Sequence, residues 1–415
     1  MVRSLKSSND NVDFIKVNVL NYFIIIGLLR LTNFNFYVSQ WVGFETAINA
    51  TGGDAFNFIN YLAAISLVMV FVGKYGQIGL DRLGFMLFSL LIILYILNAC
   101  LAPYANPIWL FYQLIFIFIS VLLYAITRKC SEDFTSKFYA GSYLIFWGLM
   151  VYIGVFTLYI LSQYSIQYYF TEFNDAFVNS LNEFGIMKQR HGYLLGFVLA
   201  YALFMLPSKA QKILPLVLIM FAGIGIRSFV LGCLGSIIIF TVHKRIYRIG
   251  WLSVLGIFIF LLFQGYFDHL IYDTRYYSYL NALMIVKEYP MGVGLGGYPV
   301  FTEIFSNSLF AQFFDVNALL DYVPTAPESD LVHLFGSLGL VCGLIHLCIQ
   351  LRIVILSTTF RLKLVPFEKC VLFYFAFMTF FGISEDSMFS VNYWIFFGIA
   401  AGIVSNVYWR TKSVS

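Results

Sequence analysis

The stretch PIWLFYQLIFIFISVLLYAITRK, residues 107–129, carries no charged side chain over its first 21 positions and closes on Arg128 and Lys129. About 20 apolar residues at ~1.5 Å each cover the ~30 Å hydrocarbon core of a bilayer, so the run reads as a membrane-spanning helix. The basic pair after it marks the side on which it ends, since cations flanking a span gather on the cytoplasmic face.

Similar runs recur near 18–38, 57–73, 83–100, 107–126, 138–161, 192–206, 213–226, 228–241, 251–265, 330–350, 366–383 and 391–409, about twelve candidate spans in all. Only 11% of the 415 residues are charged and 60% are hydrophobic, which excludes an ordinary soluble globule. Residues 1–415 are therefore expected to form a single all-α, polytopic membrane domain. The opening MVRSLKSSNDNVDFIK lacks an apolar core followed by a small-residue cleavage site, so the first span reads as an uncleaved anchor.

With a cytoplasmic amino terminus, nineteen of the 25 lysines and arginines fall on the cytoplasmic side and fifteen of the 21 acids on the outer side. Both termini are then cytoplasmic. Five cations remain outside, namely Lys188, Arg190, Arg227, Arg275 and Lys287, while Arg30 sits within the first span, where it either supports the outer arginines or pairs with an acid, the structural role being the preferred reading. Spans 213–226 and 228–241 are short, about 14 residues or ~21 Å each, so Arg227 at their shared tip is expected below the outer surface, at membrane depth.

Two outer segments exceed a tight turn, 162–191 and 266–329, and the second has room for a site. Within it, residues 272–288, YDTRYYSYLNALMIVKE, place apolar or aromatic residues at 276, 280, 283 and 284, the spacing of an amphipathic helix lying along a membrane surface. Pro290 and the glycines of GVGLGG, residues 292–297, stop it. The GxGxxG spacing has no strand before it, which excludes a dinucleotide fold. Two readings remain: a turn where backbone passes closely, or an anion nest of backbone amides at Gly294 near Arg275.

Each outer arginine alone reads as a snorkelling or paired residue. Together, Arg190, Arg227 and Arg275 on an otherwise acidic face suggest a receptor for a phosphate or pyrophosphate, which the bidentate guanidinium suits. The loop ends in APESDLVHLFGSLGLVCGL, residues 326–344, an apolar helix whose mouth holds Glu328, Asp330 and His333. Pro327 in a first helical turn and acids opposing the helix dipole would account for this mouth by capping, at ~0.3–1 kcal/mol per acid. The same position, facing the arginines, also suits Glu328 as a general base, with His333 beside it as a ligand contact. The six cysteines lie mostly inside apolar runs with no CxxC, and the five histidines form no HExxH, so neither a metal site nor a nucleic-acid site is expected.

The order of a long outer loop with an arginine, the run NALMIVKEYPMGVGLGGY, and ESDLVHLFGSLGLVCG entering a span is similar to the O-antigen polymerase and O-antigen ligase superfamily. The resemblance covers about Arg190 to Gly343. Ligases of that group carry His, then Asn, Ser or Gln, nine residues, Gly, two residues and Gly. Here Ser329 and Gly339 fall in place, but Glu328 occupies the histidine position and Cys342 the last glycine, which suits the polymerase branch better.

The resemblance implies a C-type glycosyltransferase-like fold in a bacterial inner membrane, with its active site on the periplasmic face. It implies joining of undecaprenyl-pyrophosphate-linked oligosaccharides by a metal-independent, inverting transfer without a cofactor, with a chain-length regulator as a further partner. Transfer to lipid A-core by a ligase, or movement of a lipid-linked oligosaccharide by a flippase, are the alternatives. Glu328 and Arg275 are the expected catalytic residues, with Arg190, Arg227, Arg275, Gly294 and His333 binding pyrophosphate or glycan.

Overall fold

The computed structural model describes residues 19–28, 65–66, 80–128, 134–163, 188–207, 214, 227–241, 274–297, 329–383 and 390–412. All regular structure among them is helical: α1 (Val19–Leu28), α2 (Arg82–Leu101), α3 (Pro107–Arg128), α4 (Phe134–Gln163), α5 (Lys188–Phe204), α6 (Arg227–Thr241), α7 (Thr274–Glu288), α8 (Asp330–Val332), α9 (Gly339–Phe360), α10 (Pro366–Phe381) and α11 (Val391–Lys412). Four of these, α2, α3, α9 and α11, are long and apolar enough to cross a membrane. The candidate spans at 57–73, 213–226 and 251–265 lie almost wholly outside the described residues.

α11 is the buried axis of the bundle and packs most closely on α3. Gly398 and Gly402, four residues apart, make that approach possible. A Cβ on Gly398 would stand 2.5 Å from the Ser120 carbonyl oxygen, and one on Gly402 2.8 Å from that of Tyr124. Small residues one turn apart are the usual means of close packing in lipid, where no hydrophobic effect drives helices together. Two polar ties cross the same seam: the Trp394 indole donates to Gln113 Oε1 at 2.9 Å, and the Ser120 hydroxyl donates to the Trp394 carbonyl.

Two carboxylates fasten one end of the bundle. Asp81 caps α2 and accepts from the Gly84 amide (2.9 Å), the Tyr124 hydroxyl (2.6 Å), the Ser405 hydroxyl (3.1 Å) and the Trp409 indole (3.1 Å), with Arg128 Nε at 3.3 Å. Glu368 accepts from the Val365 amide at the start of α10 and pairs with Arg410 on α11 at 2.5 Å. The opposite end carries the 102–106 turn, the glycine loop, the start of α8 and the end of α10.

The run expected as one helix over 330–350 is broken. After α8 the chain widens into a π-helical segment, His333–Ser337, and resumes as α9 only at Gly339, whose φ is +77°. The helix starts at Asp330 with Ser329 as its N-cap, the Ser329 hydroxyl accepting from the Val332 amide at 3.2 Å. Capping of this helix therefore belongs to Ser329, while Pro327 and Glu328 lie outside the described residues.

Candidate functional site at the broken helix mouth

α10 ends among the helices that carry the predicted residues. The Asp330 amide donates to the Gly382 carbonyl at 2.8 Å, and the Tyr279 hydroxyl of α7 donates to the Ile383 carbonyl. The ring of Tyr193 on α5 lies 4.4 Å from that of Phe381, and Phe229 on α6 lies 5.5 Å from Phe377, one turn deeper. Gly196 and Gly232 open the space for Phe377 between α5 and α6.

All three arginines stand in the first turn of their helices: Arg190 is the third residue of α5, Arg227 the first of α6 and Arg275 the second of α7. Their backbones are thus brought around one end of α10. Three helix amino termini open there, and a helix amino terminus carries a partial positive charge that favours anions. The guanidinium groups themselves, Arg30 and Glu328 lie outside the described residues.

Asp330 is only 4% exposed. Its carboxylate rests against the α carbon of Gly382, where a Cβ would overlap Oδ2. His333, half-buried, opens the π segment; its amide donates to the Ser329 carbonyl at 3.0 Å and its carbonyl accepts from Leu338. A π turn frees backbone groups and commonly marks a working position in a helix.

Gly294 has a different role from the anion nest. Its amide donates to the Ser337 carbonyl at 3.0 Å, that of Val293 to Gly336 at 2.9 Å, and that of Gly292 to Tyr289 at 2.8 Å. The loop returns bonds to the 102–106 turn through its Val293 and Leu295 carbonyls, and the Pro290 carbonyl accepts from Leu340 at 2.9 Å. Asn98 of α2 donates to both Met291 and Ser337 carbonyls, at 2.8 and 2.9 Å. Gly294 has φ +97°, and a Cβ there would stand 2.5 Å from Ala105 Cα. The glycine run is a clasp that holds α7 to the broken helix and satisfies backbone groups freed by the break. This is the close-passage turn, and the Gly294 amide is committed to it.

The clasp orients α7. Ser278, Asn281, Ala282 and Ile285 form its buried face, while Leu283 is 66% exposed. Of the apolar side expected at 276, 280, 283 and 284, Leu283 points away from the protein and Met284 is half-buried, while the side chains of 276 and 280 lie outside those described.

Beneath the mouth lies a polar group not singled out in the sequence. His346, on α9 and fully buried, sits between two phenols, with Nδ1 3.4 Å from the Tyr95 hydroxyl and Nε2 3.1 Å from the Tyr393 hydroxyl. One turn further, Gln350 donates to Thr379 at 3.2 Å. Asp330 lies within electrostatic reach of both Tyr95 and Tyr393. The available signal was a lone ionisable residue inside an apolar run. In comparisons with known proteins, no family model and no curated sequence matches the chain.

Proposed function

We propose that the chain is a glycosyltransferase of the O-antigen polymerase type. It would transfer a growing undecaprenyl-pyrophosphate-linked glycan onto a newly delivered lipid-linked repeat unit at the periplasmic face of a bacterial inner membrane. One observation carries the reading: three helix amino termini, each with an arginine in its first turn, surround the end of α10 beside the acid-headed mouth of a broken apolar helix.

The chemistry asks for two things. As the glycosidic C–O bond breaks, negative charge develops on the pyrophosphate leaving group, and fixed positive charge aimed at it lowers the barrier. Arg275 and Arg227, with the helix termini, supply that charge and so ask for no metal. The attacking sugar hydroxyl must lose its proton, and Glu328, two residues before α8, is the base. A single in-line displacement inverts the anomeric centre. Arg190 and His333 complete the contacts to pyrophosphate and glycan.

Glu328→Gln tests the assignment, because it keeps size and hydrogen bonding but removes the base. Polymerisation should fall by roughly 10²-fold or more at unchanged expression. A glutamine variant that polymerises at the wild-type rate would remove Glu328 from the mechanism.

A second reading, movement of a lipid-linked oligosaccharide without chemistry, is favoured by the buried Tyr95–His346–Tyr393 group, since polar residues inside membrane helices often line transport paths. Product formation by the purified protein separates the two.

A further inference from the structure

We propose that Asp330 is the counter-charge of the anion site, a positioning residue that weakens the site's hold on pyrophosphate while keeping its cationic groups in their working arrangement. The inference rests on the pyrophosphate reading above and adds a residue for which capping had been the simple explanation.

Asp330 lies in the first turn of α8, where it opposes the helix dipole, but Ser329 is the N-cap and the Asp330 carboxylate is turned onto Gly382. That places it beside the carbonyl end of α10, the negative pole of a 16-residue helix, and out of water. A buried carboxylate is costly without opposite charge nearby. Asparagine has the same shape and would avoid that cost. Opposite charge is offered around the end of α10 by the amino termini of α5, α6 and α7, whose first turns hold Arg190, Arg227 and Arg275.

The carboxylate also lies within electrostatic reach of Tyr95 on α2 and Tyr393 on α11. A second feature points to a ligand. Ser278, on the buried face of α7 one turn from Arg275, is fully enclosed, and its hydroxyl has no hydrogen-bond partner among the described residues.

A counter-charge has a catalytic rationale. Binding that is equally tight in ground and transition states raises no turnover, and a pyrophosphate product held by several cations would leave slowly. One buried negative charge offsets part of that attraction.

The test uses the full chain in nanodiscs, with two probes bound in the absence of turnover: inorganic pyrophosphate and a short-chain polyprenyl pyrophosphate. Asp330→Asn should tighten both by about fivefold or more, since both share the anion, while kcat for polymerisation falls by about tenfold. A purely structural role predicts weaker binding, or none, alongside lost turnover. Unchanged or weakened binding in a folded Asp330→Asn protein, or tightening confined to the lipid probe, would overturn the proposal. Asp330→Ser, judged by the same outcomes, serves if the asparagine variant does not fold. Wild-type protein that neither binds the probes nor polymerises would instead remove the pyrophosphate reading itself, and this inference with it.

Discussion

Asp330 and Gly382 share one volume: the carboxylate occupies the position that a Cβ on residue 382 would take. Because Gly382 has φ −64°, an ordinary helical value, alanine there brings no backbone strain and its whole cost is this overlap. Gly382→Ala should therefore destabilise the protein by roughly 1–3 kcal/mol, the scale of overpacking in a filled core. Asp330→Ala placed on top of it should recover part of that loss. Thermal unfolding in detergent reads both, and a double variant no more stable than Gly382→Ala would place the overlap elsewhere.

At the opposite end, Asp81 joins α2, α3 and α11 through donors on all three. Burial by itself raises its pKa, but hydrogen bonds from Tyr124, Gly84 and Trp409 and the Arg128 charge outweigh it, leaving the carboxyl below its ordinary value. A depressed carboxylate contributes stability that is present above the unfolded value of about 4 and is lost as pH falls through the lower folded value. Asp81→Asn should cost roughly 2–3 kcal/mol at neutral pH and should flatten the acid limb of the stability curve below about pH 4. An acid limb identical to wild type would assign that loss to other groups.

The Tyr95–His346–Tyr393 group makes a prediction of opposite signs. Tyr393→Phe keeps the ring packing but removes the partner of Nε2, leaving a buried ring nitrogen unpaired at a cost of about 1–3 kcal/mol. Replacing the whole set, with His346→Leu, Tyr95→Phe and Tyr393→Phe together, removes the imidazole and both hydroxyls that face it and should restore most of that stability. Chemical or thermal unfolding of the two variants decides. A triple variant less stable than Tyr393→Phe would show that the polar group supports the bundle rather than merely being tolerated by it.

The all-helical architecture of the described residues was legible because apolar run length reports directly on helices sized to a bilayer, and α2, α3 and α11 fall where such runs lie, while α9 is displaced from the expected 330–350 to Gly339–Phe360. The break at Gly339 was not, because a run such as LFGSLGLVCGL is equally apolar whether continuous or interrupted. What interrupts it is partnership with Asn98 and the glycine loop, 239 and about 45 residues away in sequence. The glycines of GVGLGG announced a close passage of backbone but not its partner, and amides that a motif leaves open were already bonded. The arginines stood out by their sign on an acidic face, and their helix-starting positions now give that sign a common location. Gly382 gave no signal, since its meaning lies wholly in the carboxylate that fills its missing side chain.

The central claim is that the arginine-bearing mouth performs sugar transfer. Purified protein in liposomes, supplied only with undecaprenyl-pyrophosphate-linked repeat units, tests it most directly when the glycans are released and separated by size. The account predicts a ladder of products spaced by one repeat unit, lost in Arg275→Lys and Arg227→Lys at normal expression, because lysine offers a point charge in place of the planar fork. Repeat units that remain monomeric with folded wild-type protein, or a ladder that persists unchanged in both lysine variants, would contradict it.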